Sequence, residues 1–251
     1  MVTMPNLTDH VAIITGAGSG IGASLSRLLG AQGASLTLAA RKLDKLNAIA
    51  ADCGANVMTI SADLTLESDR ALVVARTLKR WGRIDILVNN AGIGAYGEFL
   101  DSTEEQWRNI FEINFFALVF LTREVLPTML DQGSGLVINM ASIGGLVAHS
   151  NNVTPYVASK HAVVGFSRAL ARDLRGTGIR VMAVCPHLTD TEFFSTASGA
   201  EKMAPLMDEL RPRLDTPEDV AGGIVSQLGS DRMIVFPTDR PAKAFAKLKD
   251  L

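Results

Sequence analysis

Cysteine is nearly missing from this sequence, with only Cys53 and Cys185 in 251 residues. Two thiols so far apart make no disulfide framework and fit a reduced, cytoplasmic setting. No charge sign is in excess. The 24 basic and 26 acidic side chains leave a formal net charge of -2. That balance offers no basic patch to nucleic acid or to an anionic membrane, so neither partner is expected. Four histidines, His10, His149, His161 and His187, share no ligand spacing with the cysteines, so no metal is expected. Long apolar runs are also lacking. The longest, Phe115 to Leu121, is far too short to cross a bilayer. Met1 to His10 lacks the basic and apolar regions of a secretion signal. No repeat, linker or low-complexity stretch divides the chain, and its length suits a single domain over residues 1–251.

What is present is an alternation of periods. Val11 to Thr15, Ser35 to Ala40, Val57 to Ser61, Ile84 to Asn89, Gly135 to Met140 and Ile179 to Val184 are short apolar runs, and Met233 to Phe236 can add a last one. Between them lie stretches with helical spacing: Ile21 to Ala31, Leu43 to Asp52, Glu67 to Trp81 and Tyr156 to Arg175. Ser102-Thr103-Glu104-Glu105 has the form of a capping box opening a helix to about Leu130, whose end Pro127 should disturb. Pro217 opens a further helix to about Leu228, with Thr216 as its cap. Continuous apolar strands alternating with helices predict an α/β fold with a doubly wound parallel sheet of Rossmann type.

The first strand runs into Thr15-Gly16-Ala17-Gly18-Ser19-Gly20-Ile21-Gly22. Glycines here let the backbone approach a pyrophosphate, and the helix that follows offers free N–H groups. A plain connecting turn is the bland alternative. About twenty residues later an NAD-binding unit places an acid for the ribose 2′-hydroxyl. This chain instead reads Ala39-Ala40-Arg41-Lys42. Arg41 fits a 2′-phosphate, which predicts NADP(H) in preference to NAD(H). Against this, Ser19 stands where a second basic residue would help.

The spacing Thr-Gly-x-x-x-Gly-x-Gly resembles the short-chain dehydrogenase/reductase family, in its classical branch. Asn89-Asn90-Ala91-Gly92, Asn114, Ser142, Tyr156-Val157-Ala158-Ser159-Lys160, Pro186 and Thr191 then follow in the family's order along most of the chain. Each motif is weak alone, and their conjunction is specific. The resemblance implies hydride transfer between a nicotinamide and a carbonyl or secondary alcohol. Its catalytic set is Asn114, Ser142, Tyr156 and Lys160. Its cofactor set is Gly16, Ser19, Gly20, Ile21, Gly22, Arg41, Asp63, Leu64, Asn90, Ala91, Gly92, Tyr156, Lys160, Pro186, Thr189 and Thr191. Tyr156 and Lys160 share a helical face, and the ammonium is expected to lower the phenol pKa. Ser142 holds the substrate oxygen or merely caps a strand end. Asn114 anchors a water or is a satisfied structural amide. Asp63 contacts adenine or caps a helix.

Two departures from the family stand out. Pro186-His187 replaces the common Pro-Gly, so the turn differs in shape or the imidazole enters the site. The C-terminus is a polar, Lys-containing tail rather than an Asp-Gly-Gly segment, which points away from a 3-oxoacyl-carrier-protein reductase. Residues 187–215 are expected as a substrate lid, and Thr191 to Leu214 is the least periodic stretch. Phe193, Phe194, Met203, Leu206 and Met207 suit a moderately sized apolar ketone or aldehyde. Apolar residues around the helix at Phe115 to Leu121 suggest a homodimer or homotetramer. The competing readings are a dinucleotide-binding regulator without turnover, an NAD-dependent alcohol dehydrogenase, and an epimerase or dehydratase of the same family.

Overall fold

A computed structural model describes residues 6–54, 56–148, 150–211 and 214–249, without the side chains of 204–208. His149 and the side chains of Leu206 and Met207 therefore lie outside the described residues. Strands β1 (Val11–Thr15), β2 (Ser35–Ala40), β3 (Val57–Ser61), β4 (Ile86–Asn89), β5 (Gly135–Met140), β6 (Ile179–Val184) and β7 (Ile234–Val235) form one sheet. All its pairings are parallel, in the order β3-β2-β1-β4-β5-β6-β7. Ile14 pairs with Leu38 on one side and Val88 on the other. The order reverses between β1 and β4, and the crevice beyond their C-terminal ends is where such sheets hold ligands.

Helices cover both faces. They are α1 (Gly20–Ala31), α2 (Leu43–Asp52), α3 (Glu67–Trp81), α4 (Glu104–Phe111), α5 (Ala117–Gln132), α6 (Thr154–Asp173), α7 (Ala200–Leu210), α8 (Pro217–Val225) and α9 (Asp239–Leu248). Strand side chains alternate between faces. Ala12 and Ile14 enter a core with Leu25 and Leu29 of α1 and Val220 and Ile224 of α8. Ile13 enters the opposite core with Val73 of α3 and Leu121, Val125 and Met129 of α5. Because both faces are covered, every residue of β1 is buried, which is why the strand reads as an unbroken apolar run.

Several boundaries differ from expectation. The capping box belongs to Thr103 and Gln106, not to Ser102 and Glu105. The Ser102 hydroxyl is taken by the Phe99 carbonyl at 2.6 Å and by the Trp107 indole N–H at 2.9 Å. The long helix contains a π turn, Glu112–Phe116, and then runs past Pro127 to Gln132. Packing of Leu121, Val125 and Met129 on the sheet outweighs the proline. By length and composition, the 29-residue run Glu104–Gln132 is long and apolar enough to cross a membrane. The apolar run Phe115 to Leu121 understated it, because the composition of a whole core helix passes the same test. Helix α6 starts two residues early because Pro155 suits a first turn. The presumed loop near Thr191 to Leu214 contains α7, and the polar tail contains α9. In α9 the apolar stripe is short: Pro241 is buried and Phe245 packs at a tilt against Phe236, with ring centroids 5.7 Å apart.

Candidate active site

The glycine turn opens where β1 ends. Gly16 has φ +62°, and a Cβ there would stand 2.9 Å from the Ala91 Cα. A Cβ on Gly22 would collide with the Gly16 carbonyl oxygen, so the third glycine serves helix–turn packing. Ser19 is the N-cap of α1 and makes no side-chain capping bond, so the first amides of α1 face the crevice uncapped by it. This is the cradle a pyrophosphate requires, and the residues fit a dinucleotide.

Asn90 braces this cradle. Its side-chain amide donates to the Thr15 and Gly16 carbonyls at 3.0 and 3.1 Å. The Thr15 hydroxyl in turn accepts the Asn90 and Ala91 backbone N–H groups at 2.9 and 3.0 Å. Beneath it runs a buried polar chain, of which local spacing marked Asn89 but not Thr122, Asn139 or Ser167. Asn89 donates to Thr122 and to Asn139, each at 2.9 Å, and Asn139 donates to Ser167 at 2.9 Å. It ties β4 and β5 to α5 and α6, and each of these side chains has a partner, as burial demands.

A cavity of about 760 Å³ runs from this turn to the start of α6. Every expected cofactor or catalytic residue lines it except Gly22 and Asn114. Asn114 sits in the π turn and is buried. Its amide oxygen accepts from the Ile93 N–H at 2.8 Å, and its NH₂ donates to the Ile93 carbonyl and the Ser159 hydroxyl at 3.0 and 3.1 Å. The side chain is thus a satisfied amide that shapes the loop behind Gly92. Asp63 accepts from the Thr65 N–H and hydroxyl at 3.1 and 2.8 Å, a local turn cap that still borders the cavity.

Ser142 follows β5. Its hydroxyl accepts from the Gly144 N–H at 3.1 Å and hydrogen-bonds Tyr156. The Lys160 ammonium donates to the Met140 carbonyl at 2.8 Å and lies 5.8 Å from the Tyr156 ring centroid. Here one expectation is overturned. Burial pushes the Tyr156 phenol up to about 12, against the opposing hydrogen bond from Ser142. Burial also pulls Lys160 down to about 8. Desolvation disfavours both charged forms and is the largest cause of each shift. Cys185, not among the expected site residues, is buried close to both, and burial raises its thiol to about 12. It stays a neutral packing group.

Residues within 187–197 line the far wall. Phe193 meets Tyr156 edge-on at 5.6 Å between ring centroids and also packs on Phe194. Met203 is buried. His187 lines the cavity, and its backbone is outside the positive-φ region. The positive-φ residue at this wall is Asn152, whose carbonyl accepts from the Gly97 N–H at 2.8 Å. At the other end Arg41 and Lys42 border the mouth with two residues not foreseen, Lys45 and Glu192. Their ion pair closes at 2.6 Å across 147 positions of chain, and no local pattern signals a contact of that span.

A profile described as short chain dehydrogenase matches residues 10–202. The chain belongs to the short chain dehydrogenase family. An uncharacterised oxidoreductase of Staphylococcus saprophyticus is 36% identical over 204 residues, covering 79% of this chain and 87% of the relative. One from Staphylococcus epidermidis is 34% identical over 188 residues, covering 75% and 81%. Levodione reductase matches with a TM-score of 0.83 at 32% identity, covering 94% of this chain and 99% of that one. A 3-ketoacyl-(acyl-carrier-protein) reductase from Brucella melitensis, complexed with NADH, matches at 0.82 and 28% identity, covering 92% and 97%. A Burkholderia phymatum family member in complex with NAD matches at 0.87 and 25% identity, covering 97% and 94%. As a short chain dehydrogenase/reductase, this protein is an oxidoreductase that uses a nicotinamide cofactor.

Proposed function

We propose that this enzyme is an NADPH-dependent reductase of a moderately sized apolar ketone or aldehyde. The observation that carries the cofactor choice is Arg41 at the cavity mouth, where no acid follows β2 to claim a 2′-hydroxyl. The apolar wall of Phe193, Phe194 and Met203 beside Tyr156 supports the substrate class. When bound, the nicotinamide supplies the hydride. Tyr156 donates the proton to the carbonyl oxygen, and its raised pKa keeps that proton in place at neutral pH. Ser142 hydrogen-bonds the same oxygen as negative charge grows there. Lys160 holds the nicotinamide ribose and faces Tyr156. Residues 187–215 act as the substrate lid. The protein works in the cytoplasm as a homodimer or homotetramer, with no nucleic acid or membrane partner.

A second reading, an NAD-dependent alcohol dehydrogenase, draws on the NADH and NAD held by two structural neighbours. Measuring kcat/KM for NADPH and NADH on one ketone separates the two. NADPH is expected to win, and Arg41→Ala to weaken it by very roughly 10- to 150-fold, the loss of one charge-assisted contact, with NADH less affected. A clear preference of the unmodified enzyme for NADH overturns the proposal.

A further inference from the structure

Lys45, in the first turn of α2, lines the same cavity mouth as Arg41 and Lys42. Its stem is held against the glycine turn, since a Cβ on Gly18 would touch the Lys45 Cβ at 3.3 Å. The ammonium thus stands at the part-exposed mouth of the crevice, with 36% of the Lys45 side chain accessible. Its partner is Glu192, on the lid segment, at 2.6 Å. Lys45 and then Lys42 hold the Glu192 carboxyl below its ordinary range. An anionic group of this chain thus sits in the cluster of cations that suits a phosphate.

We propose that Glu192 is an internal competitor for the adenosine 2′-phosphate, drawing on the same Lys45 ammonium and so setting how strongly the site discriminates between phosphorylated and unphosphorylated dinucleotides. This rests on the reading of Arg41 as a 2′-phosphate ligand. Two effects act in one direction. Glu192 occupies Lys45, and its own charge repels a 2′-phosphate brought beside it. The neighbouring Thr191 packs on the glycine turn, where a Cβ on Gly20 would lie 2.9 Å from the Thr191 Cγ2. Glu192 is thereby delivered to the mouth by the lid's first residues, and the discrimination is coupled to lid position.

The test uses two probes that differ in one phosphate, adenosine 2′,5′-bisphosphate and adenosine 5′-monophosphate, titrated calorimetrically into the intact enzyme. The ratio of their affinities isolates the 2′-phosphate. Glu192→Gln is expected to raise that ratio by about two- to fivefold at low salt, in line with an exposed ion pair, and by less at high salt. Lys45→Ala is expected to lower it, and in that background Glu192→Gln should give a smaller gain. An unchanged ratio in Glu192→Gln, or an equal change for both probes, overturns the competitor role. A ratio near one in the unmodified enzyme instead sinks the NADPH reading, and a rise in Glu192→Gln would still stand beside that failure.

Discussion

At the residue scale the proposed chemistry turns on two neighbouring side chains, half-buried Tyr156 and buried Lys160, whose pKa values are driven apart. Tyr156 is raised to about 12 and Lys160 lowered to about 8, both mainly by burial. A phenol that keeps its proton is suited to donate it, as the proposed reduction requires. Tyr156→Phe removes the proton and little volume. Cofactor affinity is expected to survive while kcat falls by about 10²–10⁴-fold, the usual worth of general acid catalysis. A variant within a few-fold of the parent in ketone reduction would remove Tyr156 from the mechanism.

Lys160 carries its own prediction. Its ammonium is present below about pH 8 and is lost as pH rises through that value. If that charge supports ribose binding, kcat/KM for reduction bends downward with an apparent pKa near 8, well before Tyr156 can ionise. Lys160→Arg keeps a charge at every accessible pH and should remove this limb, though at lower activity. A parent profile flat from pH 7 to 10 would show that the charge of Lys160 is dispensable.

Elements decide where these side chains stand. The π turn Glu112–Phe116 turns Asn114 inward, so its amide holds both backbone groups of Ile93. The segment proposed as the lid is stitched to the opposite loop by a parallel bridge from Ala95 to Ser198 and by the Tyr96 N–H donating to the Ser198 carbonyl at 2.8 Å. That places Phe193 on Tyr156. Pro127 lies inside α5 against its own preference. In a helix interior proline is about 3 kcal/mol worse than alanine, so Pro127→Ala is expected to stabilise the fold by about 1–3 kcal/mol. The thermal midpoint should rise by about 2–10 °C in calorimetry. A lowered midpoint would mean that the neighbours of α5 have adapted to the ring.

The whole molecule adds a surface that the single chain leaves uncovered. Phe116 and Phe120 are 39% and 37% exposed and stack on each other, with centroids 6.1 Å apart. The Arg70 guanidinium lies 5.3 Å from the Phe120 ring. Apolar rings on one face of a core helix suit a two-fold pairing with a second copy. Light scattering at micromolar concentration is expected to give a dimer or tetramer, and Phe116→Glu a smaller species. A monomeric parent would end the proposal.

The sequence by itself determined the alternating elements, the glycine turn, the pairing of Tyr156 with Lys160 on one helix and the basic step at Arg41. Each of these depends on residues within a few turns of one another, so local periodicity and steric demands carry them. Tertiary structure alone decided the sign of the Tyr156 shift, because desolvation sums over every group packed around a side chain. It also decided that Asn90 braces the turn, and that α5 continues through Pro127. Helix α9 was hidden because a stripe as short as Pro241 and Phe245 gains its stability from Phe236, outside the helix. The meeting of Lys45 with Glu192 belongs to the same class. A contact between residues so distant in sequence leaves no trace in local spacing, and only the folded chain brings its two charges together.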